Sequence, residues 1–170
     1  MPRQDINYIS PTYADIDEYI NHMVTRIRDS APMWVPDRVV AIARGGLIPS
    51  AMIAHKLSVD DVSSIDIRMS REYVDKLYDL FVTGIHRRTL IIDDIIDGGD
   101  TMNRLNHDAN EIRDFYKVNE CNVRTAGLVV NTNSTYDLHS FEGYQFDKQP
   151  NDWIVFPWET MRSTERKQLA

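Results

Sequence analysis

The chain has 170 residues, enough for one domain with a real core. Its formal charge of −7 argues against general nucleic-acid binding, which needs a basic face, but leaves room for a phosphate met by local arginines. The single cysteine, Cys121, excludes an internal disulfide. No apolar run approaches the roughly 20 residues of a membrane span, and MPRQDINYIS lacks a signal-peptide core, so the expected compartment is the cytoplasm, with no membrane partner.

In chain order, SPTYADIDEYINHMVTRIRDS predicts an amphipathic helix. Tyr13, Ile16, Ile20, Met23, Val24 and Ile27 fall at helical spacing, and Ser10 or Thr12 suits the cap. APMWVPD is a proline-marked connection, and RVVAIA is apolar throughout, as a buried strand is. RGG then reads as a turn, and LIPSAMIAHKL as a helix starting near Pro49. SSIDIRMS alternates enough for a second strand, while REYVDKLYDLFVTGIHRR fits a mobile loop or a hairpin. TLIID predicts a third buried strand, TMNRLNHDANEIRDFYK a helix and NVRTAGLVV a fourth strand. The remainder mixes aromatics with turn residues. Strand, turn and helix repeated in this way predict an open parallel α/β sheet with helices on both faces.

Ligands of such sheets bind at the carboxyl ends of the strands, and two of those ends carry unusual chemistry. In DDIIDGGDT, Gly98, Gly99, Asp100 and Thr101 stand where the next helix begins, so backbone amides and the positive helix end form a phosphate cradle. Asp93 and Asp94, acceptors when ionised, suit the vicinal hydroxyls of a sugar. The motif is shaped for a ribose 5-phosphate; the bland alternative is a solvated turn after a buried strand. An apolar residue at the third position excludes a calcium loop of the EF-hand type, and no Gly-Lys-Ser/Thr ending makes it a Walker loop.

ARGGLIPS presents Arg44 before Gly45 and Gly46, a guanidinium fork and two amides for pyrophosphate; alone it is only a helix-start turn with a surface arginine. NDWIVFPWE sets Trp153 and Trp158 around Pro157. It fits a core edge as well as a stacking face for a flat heterocycle, whose rim the backbone of Ile154 and Val155 would read.

Taken together, these motifs resemble the type I phosphoribosyltransferases. That family runs an apolar strand into two acids, two apolar residues, Asp, Thr or Ser, Gly, any residue and Thr; here the string is IIDDIIDGGDT. The ARGG turn resembles the family's pyrophosphate loop, and QPNDWIVFPWE resembles the tail of the bacterial xanthine-guanine (6-oxopurine) phosphoribosyltransferases. The resemblance implies a single domain over 1–170, with a flexible loop at about 70–88 and a hood at about 131–160 built with the N-terminal segment. It implies transfer of ribose 5-phosphate from phosphoribosyl pyrophosphate to a purine base with magnesium bound, as in purine salvage. The roles it carries over are Asp97 as general base, Asp93 and Asp94 on the ribose hydroxyls, Asp94 toward magnesium, and Arg44 on pyrophosphate. Arg68 is a weaker pyrophosphate candidate, Ser70 and Tyr73 would serve the loop, and Ala43–Arg44 is the candidate cis peptide. Related enzymes are dimers or tetramers, so a homodimer or homotetramer is implied.

Two departures stand out. Gly98 replaces the family's Thr or Ser, with loss of a hydroxyl donor to the 5'-phosphate, and Asp100 adds negative charge beside it. LVVNTNS offers Asn131 where the oxopurine enzymes place a lysine after the fourth strand. The alternatives are therefore adenine or another base as acceptor, or a non-catalytic sensor of phosphoribosyl pyrophosphate on the same fold.

Overall fold

The computed structural model describes residues 6–30, 33–68, 71–137 and 140–159. Strands β2 (Arg38–Ile42), β3 (Asp61–Ile65), β4 (Thr89–Ile96), β5 (Val123–Asn131) and β6 (Phe141–Phe146) form one parallel sheet in the order β3-β2-β4-β5-β6. Strand alternation sends Val39, Leu90 and Ile92 to one face and Val40, Ile42 and Ile91 to the other, so the sheet carries a core on each side. Helices α1 (Tyr13–Asp29) and α2 (Leu47–Leu57) cover the first face; α3 (Arg71–Tyr78) and α4 (Asp100–Tyr116) cover the second.

Helix α1 buries Ile16, Ile20, Met23, Val24 and Ile27 as the periodicity predicts, whereas Tyr13, at the edge of that stripe, is exposed. Its cap is Thr12, in a capping box: the hydroxyl accepts from Asp15 N at 3.3 Å, and Thr12 N donates to Asp15 Oδ2 at 2.7 Å. Helix α2 starts two residues before Pro49, which sits in the first turn, where its missing N–H has no intrahelical role.

Three elements differ from the sequence expectations. Residues 71–83 are neither a hairpin nor an open loop: α3 runs into a π turn at Asp79–Thr83, and Tyr73, Leu77, Leu80 and Phe81 are buried against α4 and the sheet. Strand β4 runs through the acids to Ile96, because Asp93 pairs with Gly127 and Ile95 with Val129. The second strand stops at Ile65, leaving Asp66 and Arg68 beyond its end. A small second sheet pairs β1 (Asn7–Ile9) in parallel with β7 (Asp152–Ile154), the expected hood of N-terminal and C-terminal segments.

The strand order reverses direction between β2 and β4. At such a switch point the loops leaving neighbouring strands run to opposite faces and open a crevice. Those loops are 43–46 and 97–99, which carry the two unusual motifs into the helices that follow.

Candidate active site

Ala41 pairs with Ile92 across β2 and β4, so the next residues along, Asp93 and Asp94, stand level with Ile42 and Ala43. The Ala43–Arg44 peptide bond is cis. A side chain at Gly45 would collide with the Asp94 carboxylate, so the arginine turn lies directly on the strand-end acids. Both motifs line one cleft of about 1630 Å³. That volume exceeds the usual few hundred Å³ of a small-ligand pocket and accommodates a sugar phosphate with a base.

Asp93 and Asp94 are each only 8% exposed. Asp93 Oδ1 accepts from Asp94 N, and Asp94 Oδ1 accepts from Ile95 N, both at 3.0 Å. Burial raises both carboxyls above their ordinary range, and for Asp93 the neighbouring Asp94 adds to it. A buried pair that resists ionisation is suited to a ligand bringing hydroxyls or a cation.

The phosphate cradle follows. Gly99 has φ +95°, and any side chain there would press on Tyr136 N and the Ser134 and Thr135 hydroxyls at 2.8–2.9 Å. Thr135 braces the turn from outside, its Oγ1 donating to Gly98 O at 2.7 Å and its N at 3.1 Å. Gly99, Asp100 and Thr101 open α4, whose first-turn amides have no intrahelical acceptor. Gly98, Gly99, Asp100 and Thr101 all line the cleft.

Asp97 lines it too, with its carboxylate held by Asn131 Nδ2 at 3.2 Å and by the Lys148 ammonium. Trp153 and Trp158 line the cleft as well. Trp158 stacks on Phe156 with ring centroids 4.8 Å apart, and the Trp158 indole N–H is buried without a partner.

Of the residues singled out in the sequence, Arg44, Gly45, Asp93, Asp94, Asp97, the cradle residues and Trp153 meet in this cleft. Gly46 does not. Its amide donates to Ile42 O at 3.0 Å, and a side chain there would strike the carbonyls of Ile92 and Ile42, so it serves packing. Ile154 turns toward the core beside Phe156, and its neighbour Val155 faces the cleft. Asn131 is buried with its amide on Asp97 instead of facing a ligand. Tyr73 is also away from the cleft, donating to Asp108 Oδ2 at 2.8 Å, and Ser70 lies outside the described residues. Arg68 is at the mouth, clamped by Asp66 through Nε at 2.9 Å and Nη2 at 2.8 Å; these bonds hold the Asp66 carboxyl down at about 2.

The sequence reading missed several lining residues. Tyr8 and Ser10 reach the cleft through β1, whose pairing with β7 sets Tyr8 beside Trp153. Arg104 arrives one turn into α4, and Glu159 closes the aromatic tail. Only Arg104 had a readable signal, its helical spacing from the cradle.

No family model matches the chain. It is 25% identical over 145 residues to the xanthine-guanine phosphoribosyltransferase of Idiomarina loihiensis, covering 81% of each chain. It is 28% identical over 151 residues to that of Vibrio atlanticus, covering 84% of this chain and 88% of that one. The Helicobacter pylori xanthine-guanine-hypoxanthine phosphoribosyltransferase superposes with TM-score 0.66 at 18% identity, over 95% of this chain and 99% of that one. This chain's parallel sheet, with both motifs at its switch point, goes with these likenesses: the chain has the type I phosphoribosyltransferase fold and is similar in sequence to the xanthine-guanine phosphoribosyltransferases.

Proposed function

We propose that this protein is a purine phosphoribosyltransferase of salvage, moving ribose 5-phosphate from phosphoribosyl pyrophosphate to a purine, with a 6-oxopurine as the preferred acceptor. One observation carries the reading: the acidic strand end, the arginine turn and the phosphate cradle line a single cleft that two tryptophans close. Separate clefts would leave each motif with its bland explanation.

In this reading a ring nitrogen of the base bonds to C1 of the ribose as the C1–O bond to pyrophosphate breaks. Positive charge grows at C1, so placement and charge stabilisation carry most of the work. The α4 amides and Thr101 hold the 5'-phosphate, Asp93 and Asp94 hold the ribose hydroxyls, and Arg44 with the Gly45 amide grips pyrophosphate. Asp97, one residue before the cradle, faces the base end and receives its proton or balances the developing cation. Trp153 and Trp158 stack against the heterocycle.

The donor set fits magnesium, since Asp93 and Asp94 offer hard oxygens in a buried pair that a cation would relieve. Asp94, pressed against the arginine turn, would hold it; bound there, it neutralises the pyrophosphate leaving group. Cytoplasmic residence and a homodimer or homotetramer are part of the same proposal; the described residues contain no helix long and apolar enough to cross a membrane.

The test is nucleotide formation from phosphoribosyl pyrophosphate and magnesium with guanine, xanthine, hypoxanthine, adenine and uracil in turn. The reading expects turnover with one or more of the 6-oxopurines. Donor binding without turnover of any base would favour the sensor, and adenine as the preferred acceptor would move the assignment within the fold. Asp97→Asn is expected to lower kcat at least tenfold with donor affinity retained.

A further inference from the structure

Lys148 has no part in the roles above, yet it is tied to them. It lies between β6 and β7 with its side chain 18% exposed, and its ammonium donates to Asp97 Oδ2. Asn131 Nδ2, at the end of β5, donates to the other oxygen, Asp97 Oδ1, at 3.2 Å. The Asn131 amide can point only one way. Its Oδ1 accepts from Asn133 N at 3.0 Å and from Lys148 N at 3.4 Å, which leaves the NH2 group for Asp97. Asn131 thus holds the backbone of the loop that carries Lys148, and both side chains hold the same carboxylate. Asp97 lines the cleft, whereas Lys148 and Asn131 stand behind it.

The physical consequence is orientation. A carboxylate at a strand-to-helix turn samples several rotamers. With one donor on each oxygen it keeps one orientation, and its remaining lone pairs face the cleft. The ammonium also offsets local charge, because Asp93, Asp94 and Asp100 line the same cleft. The loop continues into the stacking strand. Asp152 accepts from Gln149 N at 3.0 Å and from Asn7 Nδ2 at 2.7 Å, so the clamp and the strand bearing Trp153 share one anchored segment.

We propose that Lys148, together with Asn131, is a positioning residue that sets the Asp97 carboxylate toward the base end of the cleft. The inference rests on the transferase reading, which places Asp97 in the chemistry. It also places a cation beside Asp97 from the β6–β7 loop, where the sequence showed none after β5.

The experiment is steady-state kinetics with direct donor binding for wild type, Lys148→Met, Lys148→Gln, Lys148→Arg, Asp97→Asn and the Asp97→Asn/Lys148→Met double variant. Lys148→Met is expected to lower kcat about tenfold while the dissociation constant for phosphoribosyl pyrophosphate stays within twofold. Lys148→Arg is expected to recover at least half of that loss on a logarithmic scale. Because Lys148 acts through Asp97, the double variant should be no slower than Asp97→Asn alone. Lys148→Leu, which also removes the donor, replaces Lys148→Met if that variant does not fold, and the same comparison applies; Lys148→Gln, which keeps a donor, is expected to fall between Lys148→Met and wild type. A wild-type kcat in the neutral variant, or losses that multiply in the double variant, would overturn the clamp while leaving the transferase reading intact. Wild-type protein that turns over no base would remove both.

Discussion

Asp93 and Asp94 illustrate at the residue scale how function is set against stability. Burial raises both carboxyls above the ordinary value of 3.8, so the folded protein binds protons that the unfolded chain has released. Their contribution to stability is complete below that ordinary value and is lost as pH rises through the folded value. At pH 7, with divalent cations chelated, Asp93→Asn is therefore expected to stabilise the fold by about 1 kcal/mol, roughly 2–4 °C in Tm, while abolishing turnover. Thermal melts at pH 7 check the sign; a lower Tm would contradict it. Gly98 is the second case. A side chain there meets only Asp100 Oδ2, at 3.9 Å, so the missing hydroxyl is not excluded by crowding. Gly98→Ser is expected to tighten the phosphoribosyl donor about tenfold by titration, the worth of one added donor to a phosphate. Lys148 gave no local signal, because its partner Asp97 is far along the chain and only the fold brings them together.

At the scale of elements, legibility followed locality. Helix α1 was readable because its apolar stripe and its cap lie within one contiguous stretch. TLIID predicts a strand that ends at Asp93; β4 continues through Asp94 to Ile96 because β5 supplies the pairing, a contact distant along the chain. Strand β1 has three residues and exists only through its parallel pairing with β7, which no local pattern encodes. Helix α3 is a different case. Tyr73, Leu77, Leu80 and Phe81 are spaced four, three and one apart, a helical pattern present in the sequence but set aside in favour of a loop. The segment is tied down by Arg38, whose buried Nη1 donates to Asp79 Oδ2 at 2.8 Å and whose Nη2 has no partner. Asp79→Ala would strand that guanidinium and is expected to cost about 1–3 kcal/mol, seen as a Tm lower by roughly 3–10 °C. An unchanged Tm would show that the pair does not hold the segment.

For the whole molecule, topology makes the site. Reversal of strand order between β2 and β4 opens the crevice, and the two loops that enter it are the ones with the acidic and the arginine motifs. This convergence was legible in the sequence as two strand ends on one edge of a parallel sheet. The hood was expected only through the family resemblance, because the pairing of β1 with β7 leaves no local signal. The net charge of −7 opposes an anionic donor, so local guanidinium groups must carry attraction at the cleft, which Arg44, Arg68 and Arg104 line. The central claim is that one activated sugar bridges both motifs. It is tested most directly by calorimetric titration of phosphoribosyl pyrophosphate, in magnesium, into wild type, Arg44→Ala and Asp94→Asn. The account predicts one saturable site in the wild type and at least tenfold weaker binding in each variant. Wild-type affinity in both variants, or no binding to the wild type, would contradict it.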